Sequence, residues 1–159
     1  MSRLYQSDGV SVLTRYTNNA AIASASGAPM LCAVRGIGRT LDFAIKEAKE
    51  TERTLYLLFV REQPVLAPRD RKPKWLEDEE ASTIFKYASE KADGFRILLC
   101  YAVSDSTADT IVDIAATVGA SYLIVGAPQR STLVNFPQSN IVKNISDILP
   151  EEIHLLVYA

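Results

Sequence analysis

From Met30 onward the chain alternates between apolar runs and amphipathic stretches. The runs are "MLCAV" (30–34), "TLYLLFV" (54–60), "FRILLCYAV" (95–103), "SYLIVG" (121–126) and "IHLLVYA" (153–159). Runs this short, with little polar alternation, predict strands buried on both faces. Between them the period lengthens to that of a helix. "RTLDFAIKEAKE" (39–50) places Leu41, Ala44, Ile45 and Ala48 on one face. "LEDEEASTIFKYASEKA" (76–92) does the same with Ala81, Ile84, Phe85, Ala88 and Ala92. Its leading acids suit a helix N-terminus, and Asp93-Gly94 supplies a stop. "STADTIVDIAATVG" (106–119) carries a Ser106/Asp109 capping arrangement and ends on Gly119. "SNIVKNISDIL" (139–149) is a short helix halted by Pro150.

The order β-α-β-α-β-α-β-α-β predicts an α/β fold, a doubly wound parallel sheet of five strands with helices on both faces. Residues 1–29 are small and polar, and only "GVSVLTRY" within them alternates. They read as a linker or mobile arm ahead of one α/β domain at 30–159. The segment 61–75, "REQPVLAPRDRKPKW", is Pro-rich and charged, so regular structure is excluded over most of it. It follows the second strand at the carboxyl end of the sheet. Trp75 either anchors it over a site there or packs at the start of the next helix.

Composition changes this picture only by exclusion. A net charge of −2 gives no general electrostatic reason to bind nucleic acid or an anionic membrane surface. No apolar run approaches the ~20 residues of a spanning helix, so direct membrane insertion is not expected. The opening "MSRLYQSDGV" lacks the apolar centre of a secretory signal, and a cytoplasmic location is the expectation. Cys32 and Cys100 sit inside apolar strands and read as buried structural thiols. His154 is the sole histidine, so neither a zinc site nor a histidine-based triad is expected, and no catalytic or metal-binding residue is nominated.

In open parallel sheets ligands bind beyond the carboxyl ends of the strands, where strand order reverses. The loop after the first strand, "RGIGRT" (35–40), lies there. It is Gly-rich and basic, and leads into a helix N-terminus that suits an anion. Leu41 stands where a third fingerprint glycine would be, so the loop is equally a tight strand-to-helix turn. Arg35, Arg39 and Arg130 border this mouth. They either form a rim for an anionic ligand, or are solvated arginines paired with Asp42 or nearby Glu residues.

The strand and helix order, together with "ADTIVDIAATVGASYLIVGAPQRS", resembles the universal stress protein family over residues 30–159. The resemblance implies a strand order 3-2-1-4-5, counting the five strands along the chain. Members of that family that bind ATP carry Gly-x2-Gly-x9-Gly-(Ser/Thr) after the fourth strand. Here the positions are Gly126, Gln129, Ser139 and Asn140, so one glycine of three is kept. The acid usual after the first strand is Arg35. The resemblance places adenine near Val60 and Val125. It places ribose and phosphates near Gly126, Gln129, Ser139, Asn140 and Ile141, and Arg35, Gly36 and Arg130 are added as ligand-binding candidates from the basic loop and rim. Gln129 puts a side chain where ATP binders leave space. Ser139 and Asn140 serve equally as helix caps.

The ligand class implied is an adenine nucleotide (ATP, AMP or a cyclic dinucleotide), with no cofactor fixed. The function expected is a regulatory or stress-response module without enzymatic chemistry. The alternatives are a nucleotide-binding protein with slow hydrolysis, for which Asp105 and Asp109 are the nearest acids, and a ligand-free interaction domain. Such domains also occur fused to membrane transporters, which makes a transporter a candidate partner. The resemblance further implies a homodimer through the last strand, with Leu155 and Val157 near the seam. That strand carries no proline or lysine to deter edge pairing. An arm folded back onto the same edge is the competing arrangement.

Overall fold

The structure, a computed structural model, describes residues 4–7, 10–15, 27–62, 78–126 and 141–158; for 4–7 and 10–15 it describes the backbone. Five parallel strands form its centre: β3 (Met30–Val34), β4 (Leu55–Glu62), β5 (Ile97–Ser104), β6 (Tyr122–Gly126) and β7 (His154–Tyr158). They lie in the order β5-β4-β3-β6-β7, the expected 3-2-1-4-5. The helices are α1 (Arg39–Thr51), α2 (Glu79–Ala92), α3 (Thr107–Thr117) and α4 (Ile141–Ile148).

The two-residue period of the strands sorts the core into two layers. Met30, Cys32 and Val34 of β3 pack with Leu55, Leu57 and Phe59 of β4 under α1 and α2. Leu31, Leu58, Leu123 and Val125 pack on the other face against α3 and Ile145 of α4. The predicted helix faces are the buried ones: Leu41, Ala44, Ile45 and Ala48 on α1, and Ala81, Ile84, Phe85, Ala88 and Ala92 on α2. Phe85 is fully buried, so truncating it to alanine costs about 3–5 kcal/mol.

Helix ends follow backbone chemistry. Gly119 adopts φ +72° after α3, and the next amide, Ala120 N–H, donates to the Ala115 carbonyl at 3.0 Å. The expected Ser106 cap differs: its hydroxyl donates to the Asp109 carboxylate rather than accepting from the backbone. Asp109, being acidic and in the first turn, still favours the helix dipole. β4 runs two residues past the predicted Val60, because Arg61 and Glu62 stay in register with Val103 and Ser104.

The expected linker at 1–29 is in part strand. β1 (Leu4–Ser7) and β2 (Val10–Arg15) form an antiparallel hairpin, with Ser7 opposite Val10. β2 pairs antiparallel with β5 over six residues, from Val10 against Ala102 to Arg15 against Ile97. The sheet therefore has seven strands, β1-β2-β5-β4-β3-β6-β7. The arrangement in which the arm folds back onto the last strand does not hold, since the hairpin adds to the opposite edge. The physical reason is β5 itself. Ile97 to Ala102 are buried on both faces, which an unpartnered edge strand does not achieve.

Ahead of β3, exposed Gly27 adopts φ +81°. There the Arg53 guanidinium donates to the Ala28 carbonyl at 3.1 Å and to the Ser121 hydroxyl at 2.9 Å. It also lies over the Tyr122 ring. This fixes the start of β3 at the amino ends of the strands, away from their carboxyl ends.

Candidate functional site

β3 and β6 end level with each other, and β4 beside β3 runs on three residues further. Val34 lies opposite Phe59, so Arg35 leaves β3 level with Val60, which is still paired with β5. Cys32 lies opposite Ile124, so Val34 and Gly126 come next on that side. This is the point where chain order reverses, with β4 on one side of β3 and β6 on the other.

The turn from β3 to α1 is open. Arg35, Gly36, Ile37, Gly38 and Arg39 are all exposed, and a Cβ on Gly36 or Gly38 would meet nothing within 4 Å. Neither glycine is there to avoid a clash, and both leave backbone accessible. Gly38 caps α1 without any side-chain hydrogen bond. The first amides of α1 lie at the positive end of the helix dipole.

Arg35 and Arg39 make no ion pair among the described residues. The expected alternative, pairing with Asp42, does not hold. Asp42 accepts from the Tyr87 hydroxyl at 2.7 Å and lies 3.8 Å from Lys91 Nζ, on the side of α1 that meets α2. Both arginines are exposed beside the turn.

Gly126 has a packing reason of its own. By the period of β6 it belongs to the α1 face, and a Cβ there would stand 3.0 Å from Thr40 Oγ1. Glycine lets the end of β6 and the first turn of α1 come together. Val60 and Val125 belong to the other face, above α3 and α4, with Val125 buried and Val60 half-buried. Ile141 opens α4 and packs half-buried into that same layer. Arg35, Gly36, Val60, Val125 and Gly126 are therefore brought together at one end of the sheet. Gln129, Arg130, Ser139, Asn140 and Trp75 lie outside the described residues.

Beside this mouth stands a cluster that the periodicity did not reveal. Arg61, at the end of β4, donates from Nε and Nη2 to both oxygens of Asp78, at 2.9 and 2.8 Å. Nη2 also reaches Glu80 at 3.0 Å. The Tyr101 hydroxyl donates to Asp78 at 2.9 Å, and Ala81 N–H donates to it at 3.1 Å, so Asp78 is also the cap of α2. Arg61 lies over the Phe59 ring, which stacks on Tyr101. The hydrogen bonds from Arg61 hold the Asp78 carboxyl below the ordinary carboxylate value, against the opposing effect of burial. Burial, helped by the bond to Asp78, pushes the Tyr101 phenol up to about 12. The only local signal was Asp78 three residues ahead of Ala81, a cap spacing.

Elsewhere the polar groups are structural. At the end of β5, Thr110 donates to Ser104 at 2.7 Å, while Ser106 engages Asp109. Cys32 and Cys100 belong to opposite core layers, and burial pushes both thiols up to about 12. His154 packs near Tyr122 at the amino ends of the strands, far from the mouth. Among the described residues, no group of His, Cys, Asp or Glu could hold a metal ion, and no helix is long and apolar enough to cross a membrane.

No family model matches the sequence, and no curated protein does. Solved structures do match. A universal stress protein from Archaeoglobus fulgidus superposes with a TM-score of 0.63 at 18% identity, over 84% of this chain and 100% of that one. The same protein in complex with dAMP gives 0.59 at 18% identity, over 84% and 98%. A universal stress protein in complex with cAMP gives 0.59 at 18% identity, over 83% and 97%. Their shared architecture is the doubly wound sheet described above, and this chain has the universal stress protein fold.

Proposed function

We propose that the chain is a regulatory module of the universal stress protein type that binds an adenine nucleotide at the carboxyl ends of β3, β4 and β6. The observation that carries this reading is the mouth itself. An open, glycine-lined turn, two exposed arginines without an ion pair among the described residues, and a helix N-terminus capped by glycine meet the close approach of Gly126 to α1. Two structures of the same fold carry dAMP and cAMP, each with a single phosphate. The preferred ligand is therefore a monophosphate or cyclic nucleotide. Arg35 supplies a fork for phosphate where an acid would favour ribose or a metal. Gln129 and Ser139 replace glycines of the ATP signature, so Mg-ATP binds more weakly.

The role is binding rather than chemistry. Hydrolysis needs a metal-holding carboxylate or a positioned base. Asp109, one of the two nearest acids, is held by the Ser106 hydroxyl.

Calorimetry with AMP, cAMP and Mg-ATP tests the reading. AMP or cAMP should bind at least tenfold more tightly than Mg-ATP, and Gln129→Gly with Ser139→Gly should narrow the gap. Micromolar affinity for Mg-ATP in the unaltered chain would refute the ligand assignment.

A two-fold dimer through β7 completes the proposal. β7 ends the sheet order, and Val157 on it is 45% exposed while Leu155 is half-buried. Light scattering should give a dimer that Leu156→Pro weakens; a monomer at every concentration would contradict it.

A further inference from the structure

The N-terminal hairpin does more than lengthen the sheet. β5 reads "ILLCYAVS" and contains no proline, lysine or other charge. Edge strands normally carry such residues to discourage pairing with another chain. Ile97 to Ala102 form six consecutive buried positions, the pattern of an inner strand. β2 makes β5 an inner strand by taking its outer row of N–H and C=O groups along all six residues. Ahead of β3, Arg53 bonds the Ala28 carbonyl at the amino ends of the strands. Among the described elements, β1 and β2 make their main contacts with each other and with β5. The hairpin is therefore docked edge-on, while the rest of the fold is held by helices on both faces.

We propose that the outer edge of β5 is a strand-acceptor site, filled in the intact chain by Val10–Arg15 and, when vacated, by β5 of a second copy. The direction of pairing favours that occupant. A two-fold axis beside a strand edge always pairs the strand with itself antiparallel, and antiparallel is the direction β2 takes on β5. The chemistry agrees, because an uncharged apolar strand of this length is itself a pairing segment. The hairpin thus acts as an internal guard. It confines self-association to the β7 edge and keeps the assembly closed. With both edges open, two isologous contacts at opposite ends of one sheet give open-ended growth.

The test uses the full chain with Val12→Pro. Val12 sits mid-strand opposite Cys100, and β2 has a neighbour on each side, so proline there removes a ladder bond on one side or the other. Light scattering should show at least twice the mass of the unaltered chain at equal concentration. A synthetic peptide of residues 1–15 should return the mass to the unaltered value. An unchanged mass with native circular dichroism would overturn the proposal. So would loss of the helical signal, since the hairpin would then belong to the folding unit and guard nothing. Hydrogen exchange on the unaltered chain gives a second reading. The amides of Val10–Arg15 should exchange at least tenfold faster than those of Leu55–Phe59. Equal protection in the two segments would overturn the proposal independently.

Discussion

Replacing Asp78 with alanine removes the group on which the carboxyl ends of β4 and β5 and the start of α2 converge. Its cost can be assembled from the contacts. Loss of the α2 cap, the bond from Ala81 N–H, costs about 1 kcal/mol. Tyr101 is 5% exposed, so stranding its hydroxyl costs about 1 kcal/mol more. The Arg61 pair is bidentate, but the arginine side chain is 42% exposed and rehydrates when released. That share is at most about 1 kcal/mol after solvent screening. The sum is about 2–3 kcal/mol, a large part of the ~5–15 kcal/mol that stabilises a typical domain. Urea denaturation at pH 7 measures it directly. Asp78→Asn keeps an acceptor for the cap and the phenol, and should cost about 1 kcal/mol, the charged part alone. The pH dependence has a fixed sign. Arg61 lowers the folded-state value of Asp78 below that of the unfolded chain. Its contribution is therefore complete above about pH 4 and is lost as pH falls through the folded-state value. The gap between the unaltered chain and Asp78→Asn should shrink below about pH 4 and persist above it. A cost under about 1 kcal/mol for Asp78→Ala, or a gap unchanged at the lowest pH where the chain stays folded, would refute the reasoning.

Two further predictions concern packing. Gly126→Ala should cost about 1 kcal/mol, and nearly nothing in a Thr40→Ala background, because the 3.0 Å contact is with Thr40 Oγ1; additive costs in the double-mutant cycle would show that Gly126 serves something other than this approach. Both thiols, pushed up to about 12 by burial, should resist a thiol reagent at pH 8 in the folded chain and react fully in denaturant, and prompt reaction of either one in the native state would contradict the core assignment.

The parallel core was legible because each of its elements carries its own period. Leu41, Ala44, Ile45 and Ala48 announce a helix face without reference to anything distant, and "TLYLLFV" announces a buried strand. The hairpin was not legible, because its stability comes from a partner far along the chain. "GVSVLTRY" is alternating but short, and only pairing with β5 makes a strand of it. The Asp78 cluster escaped for the same reason. Its donors stand 17 and 23 residues away, on two strands, and the acids at 77–80 are explained equally well by the helix dipole. At the candidate site, glycine spacing did not disclose the physical role of each glycine. Gly126 answers to Thr40, whereas Gly36 and Gly38 answer to no side chain. Whether Asp42 pairs with Arg35 and Arg39 likewise depended on where it points, which is set by Tyr87 on another helix.

The central claim is that an adenine nucleotide occupies the mouth formed by β3, β4 and β6. Amide chemical-shift mapping by NMR on the full chain, titrated with AMP to about 5 mM, tests it most directly, since that range detects affinities as weak as about −4 kcal/mol. The account predicts saturable shifts concentrated at Arg35–Thr40, Val60, Val125 and Gly126, and their loss in Arg35→Ala. Shifts that fail to saturate, or that cluster at the amino ends around Arg53, Tyr122 and His154, would contradict it.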